Sequence, residues 1–340
     1  MTVNRRFLLM RRPHGMPVPE DFRLAEAAVP APPPGGFVLR NCYASLDPAQ
    51  RGWMDDGPSY MPPIALGDPI RATCVGVVHA SDNPDFAQGD WVMGLNALED
   101  YSAMVPGGFT MKLDVSQVES PSRFLSAMGA VGLTGYFGLL EVAKPRAGEV
   151  LLVSGAAGAV GSVVGQIGRI AGCRTIGIAG GAEKCRRLIA DYGFDAAIDY
   201  KGKTQAALAA EIGRLAPGGV DILFENVGGV VMDASLLNLA RKARIVLCGL
   251  IAEYNLPEKV GIRNLWSVLV QEATIFGFLI MNFAPRFAEA APIMAEWMAA
   301  GRLRIDEDVQ HGLENAYPAF MRLFSGANTG KLVLKIADGR

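Results

Sequence analysis

The chain has 340 residues, of which half are hydrophobic and 19% are charged. This composition is typical of a soluble globular protein, and the length suggests about two domains. The 32 Lys and Arg residues nearly balance the 34 Asp and Glu residues, so charge gives no reason to expect nucleic acid as a partner.

No segment is typical of export or of a membrane span. The apolar run 7–10 lies between two arginine pairs and is far shorter than the hydrophobic region of a signal peptide. Residues 150–168 carry no charge, but their centre is rich in Gly, Ala and Ser and suits contact with lipid poorly. We therefore predict a cytoplasmic protein that does not bind a membrane.

The residues that bind metals most often in proteins are scattered. The five cysteines are odd in number and form no Cys-x-x-Cys pair, which favours reduced thiols. The three histidines lie far apart. Because a zinc site needs about four clustered ligands, or three and a water, we predict no metal site.

Short strands separated by Pro and Gly turns are predicted over residues 1–122, with clear examples at 37–43, 72–80 and 90–95. Such spacing is typical of a small barrel or sandwich. Residues 304–340 contain a predicted helix and a final strand, and we expect them to complete the same β-rich domain.

Strands and helices alternate regularly between residues 123 and 303. A helical stretch begins at Phe124. Strands are predicted at 150–153, 174–179, 196–199, 221–225, 244–248 and 273–280, and helices at 182–192, 204–215, 230–240 and 285–300. This alternation predicts an α/β domain with a doubly wound parallel sheet.

The first strand leads into a glycine turn and an apolar helix. The turn reads Ser-Gly-Ala-Ala-Gly-Ala-Val-Gly over residues 154–161. A strand, a glycine turn and a helix in this order are typical of a Rossmann dinucleotide site. Gly158 allows the backbone to approach a pyrophosphate, and Gly161 allows the helix to pack closely on the strand. The N–H groups at the helix start would then face the phosphates.

The end of the second predicted strand favours NADP over NAD. An acidic residue at this point binds the ribose 2′-hydroxyl of NAD, whereas small residues with a base nearby accommodate a 2′-phosphate. Here the strand ends in Ile-Ala-Gly-Gly at 178–181, and Lys184, Arg186 and Arg187 follow. The absence of an acid at the strand end is the stronger argument, because a carboxylate would repel the phosphate.

Motifs along nearly the whole chain are similar to those of one enzyme family. They include NCYASLDP (41–48) with Arg51-Gly52, GAVGLTGY (129–136), SGAAGAVGS (154–162), AGGAEK (179–184), GFD (193–195), FENVGG (224–229), CGLIAEYN (248–255) and GANTGK (326–331). The chain thereby resembles the zinc-independent medium-chain dehydrogenase/reductases. Within them it is most similar to the NADPH-dependent alkenal/one double-bond reductases, which include the leukotriene B4 dehydrogenase/prostaglandin reductases and the bacterial curcumin reductases. The resemblance implies a GroES-like catalytic domain (1–122 and 304–340) and a Rossmann domain (123–303) that binds NADP(H).

The resemblance also implies which residues contact NADPH. Gly158, Ala159, Val160 and Gly161 would hold the pyrophosphate. Gly180, Lys184 and Tyr200 would lie on the side of the 2′-phosphate. The rest of the cofactor would contact Thr134, Asn226, Cys248, Gly249, Leu250, Ile251, Tyr254, Phe278, Leu279, Ile280 and Asn328.

Two departures from the family pattern bear on these assignments. Family members usually carry Ser at the position of Gly181, so one hydroxyl ligand to the phosphate would be lost. The stretch 94–101 lacks a Trp that often precedes the Tyr, and we expect this difference to reshape the mouth of the substrate site.

The implied reaction is reduction of the C=C bond of α,β-unsaturated aldehydes or ketones. It requires a hydride on the β-carbon, a donor to the carbonyl oxygen and a proton for the α-carbon. Tyr254 follows the fifth strand at the sheet edge where ligands bind, and a tyrosine is protonated at neutral pH. Tyr60, in a loop of the β-rich domain, and Asn255 are further candidates. The cofactor ribose hydroxyl is another possible donor, and the sequence does not separate these alternatives.

Two alternative functions remain open at this point. One is an NADPH-dependent quinone oxidoreductase of the same superfamily, and the other is an NADPH-binding protein without catalytic activity. An alcohol dehydrogenase is least favoured, since that chemistry in this superfamily normally uses zinc. The apolar strand 273–280 would lie at the edge of the sheet, which predicts a homodimer with a continuous sheet.

Overall fold

The computed structural model describes residues 2–339, which form two compact units. The β-rich unit comprises the residues up to Ser126, Glu307–Asn328 and the residues from Leu332 onward. The α/β unit comprises Ala127–Asp306 and Thr329–Lys331.

The β-rich unit contains a seven-stranded sheet and a two-stranded sheet. Numbered along the chain, its strands are β1 (Val3–Leu9), β2 (Phe22–Ala28), β3 (Phe37–Ser45), β4 (Arg71–Ser81), β5 (Trp91–Ala97), β6 (Tyr101–Met104), β7 (Met111–Lys112), β14 (Glu307–His311) and β15 (Lys331–Lys335). Its two α-helices are α1 (Ala49–Trp53) and α9 (Ala316–Ser325). The larger sheet has the order β14-β15-β3-β4-β5-β7, and β6 also pairs with β3.

Strand β3 is the centre of this larger sheet. Most of its residues are buried, including Phe37, Val38 and Leu39. It pairs antiparallel with β4 on one edge and with β6 and β15 on the other. Because β15 pairs with β3 from Tyr43 to Ser45, the last strand of the chain belongs to the same sheet as β3.

The α/β unit contains a six-stranded sheet. Its strands are β8 (Val150–Val153), β9 (Arg174–Ala179), β10 (Ala196–Asp199), β11 (Val220–Glu225), β12 (Leu239–Leu247) and β13 (Thr274–Gly277). Its helices are α2 (Ala130–Phe137), α3 (Ala159–Ile170), α4 (Ala182–Ala190), α5 (Gln205–Leu215), α6 (Gly229–Leu236), α7 (Leu265–Val270) and α8 (Phe287–Ala299). The order β10-β9-β8-β11-β12-β13, with every pair parallel, is that of a doubly wound Rossmann sheet. The predicted fold class is confirmed.

Two predicted elements end earlier in the structure than the sequence indicates. The helix predicted at 230–240 ends at Leu236, because Leu239 already pairs with Val220 and the chain enters β12. The strand predicted at 273–280 ends at Gly277, and a 3-10 turn (Ile280–Arg286) that contains a proline separates it from α8.

The helical stretch that begins at Phe124 is not continuous. A 3-10 turn (Pro121–Leu125) ends at Ser126, whose backbone leaves the helical region (φ −114°, ψ −90°). The Ser126 hydroxyl donates to the carboxylate of Glu307, and this bond fixes the break. Helix α2 begins only four residues later, at Ala130, and continues into a π-helical turn (Gly138–Ala143).

Glycines bring helix α3 close to the sheet. A Cβ atom on Gly161 would lie 2.4 Å from the carbonyl oxygen of Gly155, and one on Gly165 would lie 1.8 Å from the ring of Phe194. Larger residues at these positions would force the helix away from Phe194 and from the turn that follows β8. The helix therefore packs closely on that turn.

Two structural findings concern membranes and metals. Among residues 2–339, no helix is both long and apolar enough to cross a membrane. Over the same part of the chain, no three His, Cys, Asp or Glu side chains are grouped in a way that could hold a metal ion. The five cysteines are free thiols, and three of them are buried.

Candidate active site

A buried carboxylate joins the turns that follow β8 and β11. The hydroxyl of Ser154 donates to Oε1 of Glu225 at 2.8 Å, and Glu225 is completely buried. The N–H groups of Val227 and Gly228 donate to the same oxygen at 2.6 and 2.7 Å. Oε1 of Glu225 therefore fixes the conformation of the turn after β11 and the position of the turn after β8.

Asn226 adds two hydrogen bonds between the same two turns. Its backbone N–H donates to the hydroxyl of Ser154 at 2.8 Å. Its side-chain amide donates to the carbonyl oxygen of the same serine at 2.7 Å. Because both groups bond to Ser154, the Asn226 side chain is held at the carboxyl edge of the sheet.

The loop that follows β12 pairs with the same turn. The N–H groups of Cys248 and Gly249 donate to the carbonyl oxygen of Glu225 at 2.9 and 3.1 Å. The N–H of Ile251 donates to the carbonyl oxygen of Asn226 at 3.2 Å. The structure thus brings together the predicted cofactor residues Asn226, Cys248, Gly249, Leu250 and Ile251.

Tyr254 folds back over this loop. The N–H of Leu250 donates to the phenolic oxygen at 3.2 Å, and that oxygen lies beside Gly249. Burial raises the pKa of Tyr254 above its usual value, so the phenol is protonated at neutral pH. The bond from Leu250 does not use the phenolic proton. Tyr254 therefore retains a proton that it can donate, and the predicted residue Asn255 is its half-buried neighbour.

The start of α3 presents backbone donors. The N-cap residue, Gly158, offers no side-chain acceptor, and the N–H of Ser162 donates to its carbonyl oxygen at 3.1 Å. Helix geometry leaves the preceding N–H groups without acceptors inside the helix. These are the N–H groups of Ala159, Val160 and Gly161. Together with the helix dipole they favour an anionic group, such as a pyrophosphate.

The carboxyl ends of β9 and β10 form the other end of the candidate cofactor site. A Cβ atom on Gly180 would lie 3.1 Å from both Tyr200 Cε1 and Lys201 Cε, so these two side chains extend over the glycine. Lys184 is half-buried in the first turn of α4. The structure therefore groups Gly180, Lys184 and Tyr200 around the end of β9.

The sequence analysis missed Asp199 at this edge. Its Oδ1 accepts the N–H of Gly181 at 2.8 Å and that of Lys201 at 3.0 Å. These contacts, the Gly181 bond above all, lower the pKa of Asp199, so it is ionised at neutral pH. Asp199 ends β10, and the ends of adjacent parallel strands meet at one edge, which was the signal that could have found it.

Two of the bases noted near the end of β9 are engaged with acids. Arg186 forms an exposed ion pair with Glu183. Arg187 pairs with Asp191 and with Asp306. These ion pairs occupy guanidinium groups that the sequence analysis had noted as bases near this strand end.

The segment after β13 contains the predicted residues Phe278, Leu279 and Ile280. The ring of Phe278 packs against Gly138 and meets Phe224 edge to face, with 6.4 Å between the ring centroids. Leu279 is exposed, and Ile280 packs against the hydrophobic core. The Phe278 ring thus packs, half-buried, against the hydrophobic core.

The remaining predicted residues lie in other parts of the chain. The hydroxyl of Thr134 donates to the carbonyl oxygen of Ala130 inside α2, at 2.6 Å. In the β-rich unit, Tyr60 is 48% exposed and its ring lies edge-on to Trp53. Asn328 is buried in the same unit.

The stretch 94–101, which was expected to shape the substrate mouth, lines a cavity in the β-rich unit. Its volume is about 380 Å³. Asn96, Glu99, Ser102 and Thr110 are among the lining residues. The cavity therefore combines a polar lining with the part of the chain that departs from the family pattern.

Comparisons with known proteins give the family. A family described as the N-terminal domain of oxidoreductase matches residues 5–113, and one described as zinc-binding dehydrogenase matches residues 159–296. The NADPH-dependent curcumin reductase of Escherichia coli is 40% identical over 341 residues, which cover 98% of this chain and 97% of that protein. The chain belongs to the zinc-independent medium-chain dehydrogenase/reductases.

Two further relatives place this medium-chain reductase more closely. The NADP⁺-dependent 2-alkenal reductase of Nicotiana tabacum is 36% identical, with 98% of each chain covered. The crystal structure of CurA from Vibrio vulnificus in complex with NADPH superposes with a TM-score of 0.92 at 38% identity, covering 98% of this chain and 99% of that one. The chain is a member of the alkenal/one double-bond reductase family, with its GroES-like and Rossmann folds.

Glu225 and Ser154 are further residues of this reductase that the sequence analysis did not single out. The signal was a lone acid at the end of a strand whose other buried positions are apolar. Burial raises the pKa of Glu225 to about 7, in spite of the hydrogen bonds that it accepts. Burial and the Glu225 carboxylate also raise the pKa of Cys248 to about 12, so that thiol remains protonated.

The raised pKa of Glu225 predicts a specific pH dependence of stability. The folded protein holds this proton more tightly than the unfolded chain, so the contribution of Glu225 to stability falls as pH rises from about 4.5 to about 7. Glu225→Gln cannot titrate. Its melting temperature, relative to that of the wild type, should therefore increase between about pH 5 and pH 8.

Thermal unfolding of both proteins across this pH range measures the difference. The exposed Glu258→Gln is the matched control and should follow the wild-type curve. Parallel curves for the wild type and Glu225→Gln would show that Glu225 does not titrate in this range.

Proposed function

We propose that the protein reduces the C=C bond of α,β-unsaturated aldehydes or ketones with NADPH. It is an NADP-dependent, zinc-independent oxidoreductase that acts on C=C bonds. The observation that carries the proposal is the full-length similarity to an NADPH-dependent curcumin reductase and a 2-alkenal reductase. The Tyr254 phenol at the carboxyl edge of the sheet supports it independently.

The residues of the α/β unit fit NADPH. Bound NADPH supplies a hydride. The first turn of α3, after Gly158, suits the pyrophosphate because a Cβ atom on Gly161 would obstruct the close turn and the helix start supplies N–H donors. Gly180, Lys184 and Tyr200 would hold the 2′-phosphate. Asn226 and the Cys248–Tyr254 loop would line the nicotinamide half. In this proposal the predicted Rossmann domain (123–303) binds the cofactor.

Tyr254 is proposed to donate to the substrate carbonyl oxygen. Negative charge develops on that oxygen as the β-carbon is reduced, so a positioned donor stabilises the transition state more than the ground state. The N–H of Leu250 donates into the phenolic oxygen, which strengthens the phenol as a donor. Asn255 would position Tyr254 through its neighbouring place in the loop. Tyr60 and the ribose hydroxyl are the alternative donors.

The test is NADPH oxidation in the presence of 2-alkenals, enones and a small quinone. We expect turnover of the enones, with NADPH preferred over NADH. Tyr254→Phe should lower kcat about 100-fold, the typical cost of losing one donor to a developing oxyanion, and should leave NADPH affinity nearly unchanged. Turnover of the quinone alone would instead identify a quinone oxidoreductase.

Tyr200→Phe is the matched control. It removes a phenol that lies over Gly180, so it should raise the KM for NADPH and leave kcat unchanged. If Tyr254→Phe behaved in the same way, Tyr254 would only support the Gly249–Leu250 loop and would not act as the donor.

We also propose a homodimer formed at the β13 edge of the sheet. Within residues 2–339, β13 pairs with β12 alone. Helix α7 contains no buried residue, and Trp266 and Leu269 are 74% and 66% exposed. A large apolar surface next to an open strand edge is typical of a site for a second chain.

Charge placed on this surface should separate the subunits. We expect the wild type to sediment as a dimer and Leu269→Asp as a monomer, because dimerisation would bury the new carboxylate. Ile189→Asp, at an apolar residue of α4 that is 51% exposed, is the control and should remain dimeric. A wild-type monomer in sedimentation would contradict the proposal.

A cytoplasmic location is proposed on the state of the cysteines. All five are free thiols. Thiols of this kind are typical of reducing compartments.

A further inference from the structure

The 2′-phosphate end of the proposed cofactor site contains a carboxylate that comes from the neighbouring strand. β9 ends without an acid, but Asp199 of β10 pairs in register with Ala179, the last residue of β9. Its side chain therefore reaches the turn after β9. There Oδ1 accepts the N–H of Gly181 at 2.8 Å and the N–H of Lys201 at 3.0 Å.

This placement has two consequences for a phosphate at the same turn. Asp199 is ionised at neutral pH, so it repels a group that carries about two negative charges. It also accepts the N–H of Gly181, which is the N-cap residue of α4 and would otherwise be a backbone donor for the phosphate. Both effects act on a 2′-phosphate and not on a 2′-hydroxyl.

The positively charged groups near Asp199 offset its repulsion of the phosphate only in part. Lys203 pairs with Glu211, and Lys201 extends over Gly180. Gly181 has a φ of +99°, which L residues rarely adopt, so a side-chain ligand at that position would be strained. Lys184, in the first turn of α4, and Tyr200, over Gly180, are the other predicted phosphate residues at this turn.

We propose that Asp199 is a specificity-determining residue that weakens the preference of this protein for NADPH over NADH. The inference rests on the proposed function, because it concerns the phosphate subsite of the same cofactor. It predicts that the carboxylate at the end of β10, and not the sequence at the end of β9 alone, sets the degree of preference.

The variant Asp199→Asn tests this directly. Asparagine keeps an oxygen that can accept the N–H of Gly181, and it removes the charge. Calorimetric titration with 2′,5′-ADP and with 5′-AMP separates the phosphate from the rest of the cofactor. At low salt, 2′,5′-ADP should bind the variant about three- to tenfold more tightly than the wild type, and 5′-AMP equally well. The gain should shrink in about 0.5 M salt, because salt screens the repulsion.

Asp195→Asn is the matched control. Asp195 accepts the N–H of Thr175 at 2.7 Å, which is the same kind of bond at the opposite end of β9. This variant should leave both affinities unchanged, and so should show that loss of the acid that precedes β10 has no effect on the phosphate.

An unchanged or weaker affinity of Asp199→Asn for 2′,5′-ADP would overturn the inference and leave Asp199 with the role of holding the Gly180–Gly181 turn. Failure of the proposed function would show differently: the wild type would not oxidise NADPH with any enone, whatever the affinities of the variants for the two nucleotides.

Discussion

The hydrogen bonds of one buried carboxylate are the constraint on which the site depends. Glu225 accepts donors from two turns with a single oxygen, and its backbone carbonyl accepts the loop after β12. The carboxylate adds to the backbone and Asn226 hydrogen bonds that connect the three segments of the candidate cofactor site. The bonds to the carboxylate require an acid to be buried. Burial raises the pKa of Glu225, and the surrounding N–H groups offset this rise only in part.

Function follows from what these turns present at the sheet edge. The start of α3 offers N–H donors to an anion, and the loop after β12 holds the Tyr254 phenol with its proton available. The first property suits a dinucleotide, and we propose that the second stabilises charge on a carbonyl oxygen. Reduction of an activated C=C bond requires a hydride donor and a hydrogen-bond donor to the carbonyl oxygen, and the proposal places both at one sheet edge.

The fold and the dinucleotide turn were predictable from the sequence, because both depend on local sequence patterns. The apolar strand 150–153 and its glycine turn predict the dinucleotide fold, and the alternation after it predicts the sheet. The sequence did not show how side chains orient or which strands become neighbours. Phe278 turns into the core because Gly138 leaves room for its ring. Asp199 reaches Gly181 because β10 pairs in register with β9, and register is a tertiary property.

The central claim is that the hydride reaches the β-carbon of an activated C=C bond. The most direct test is to follow deuterium from NADPH labelled at C4 of the nicotinamide into the product of an enone, by NMR and mass spectrometry. The account predicts deuterium on the β-carbon of a saturated product whose carbonyl group is intact. Deuterium on the carbonyl carbon of an allylic alcohol, or no transfer of deuterium, would contradict it.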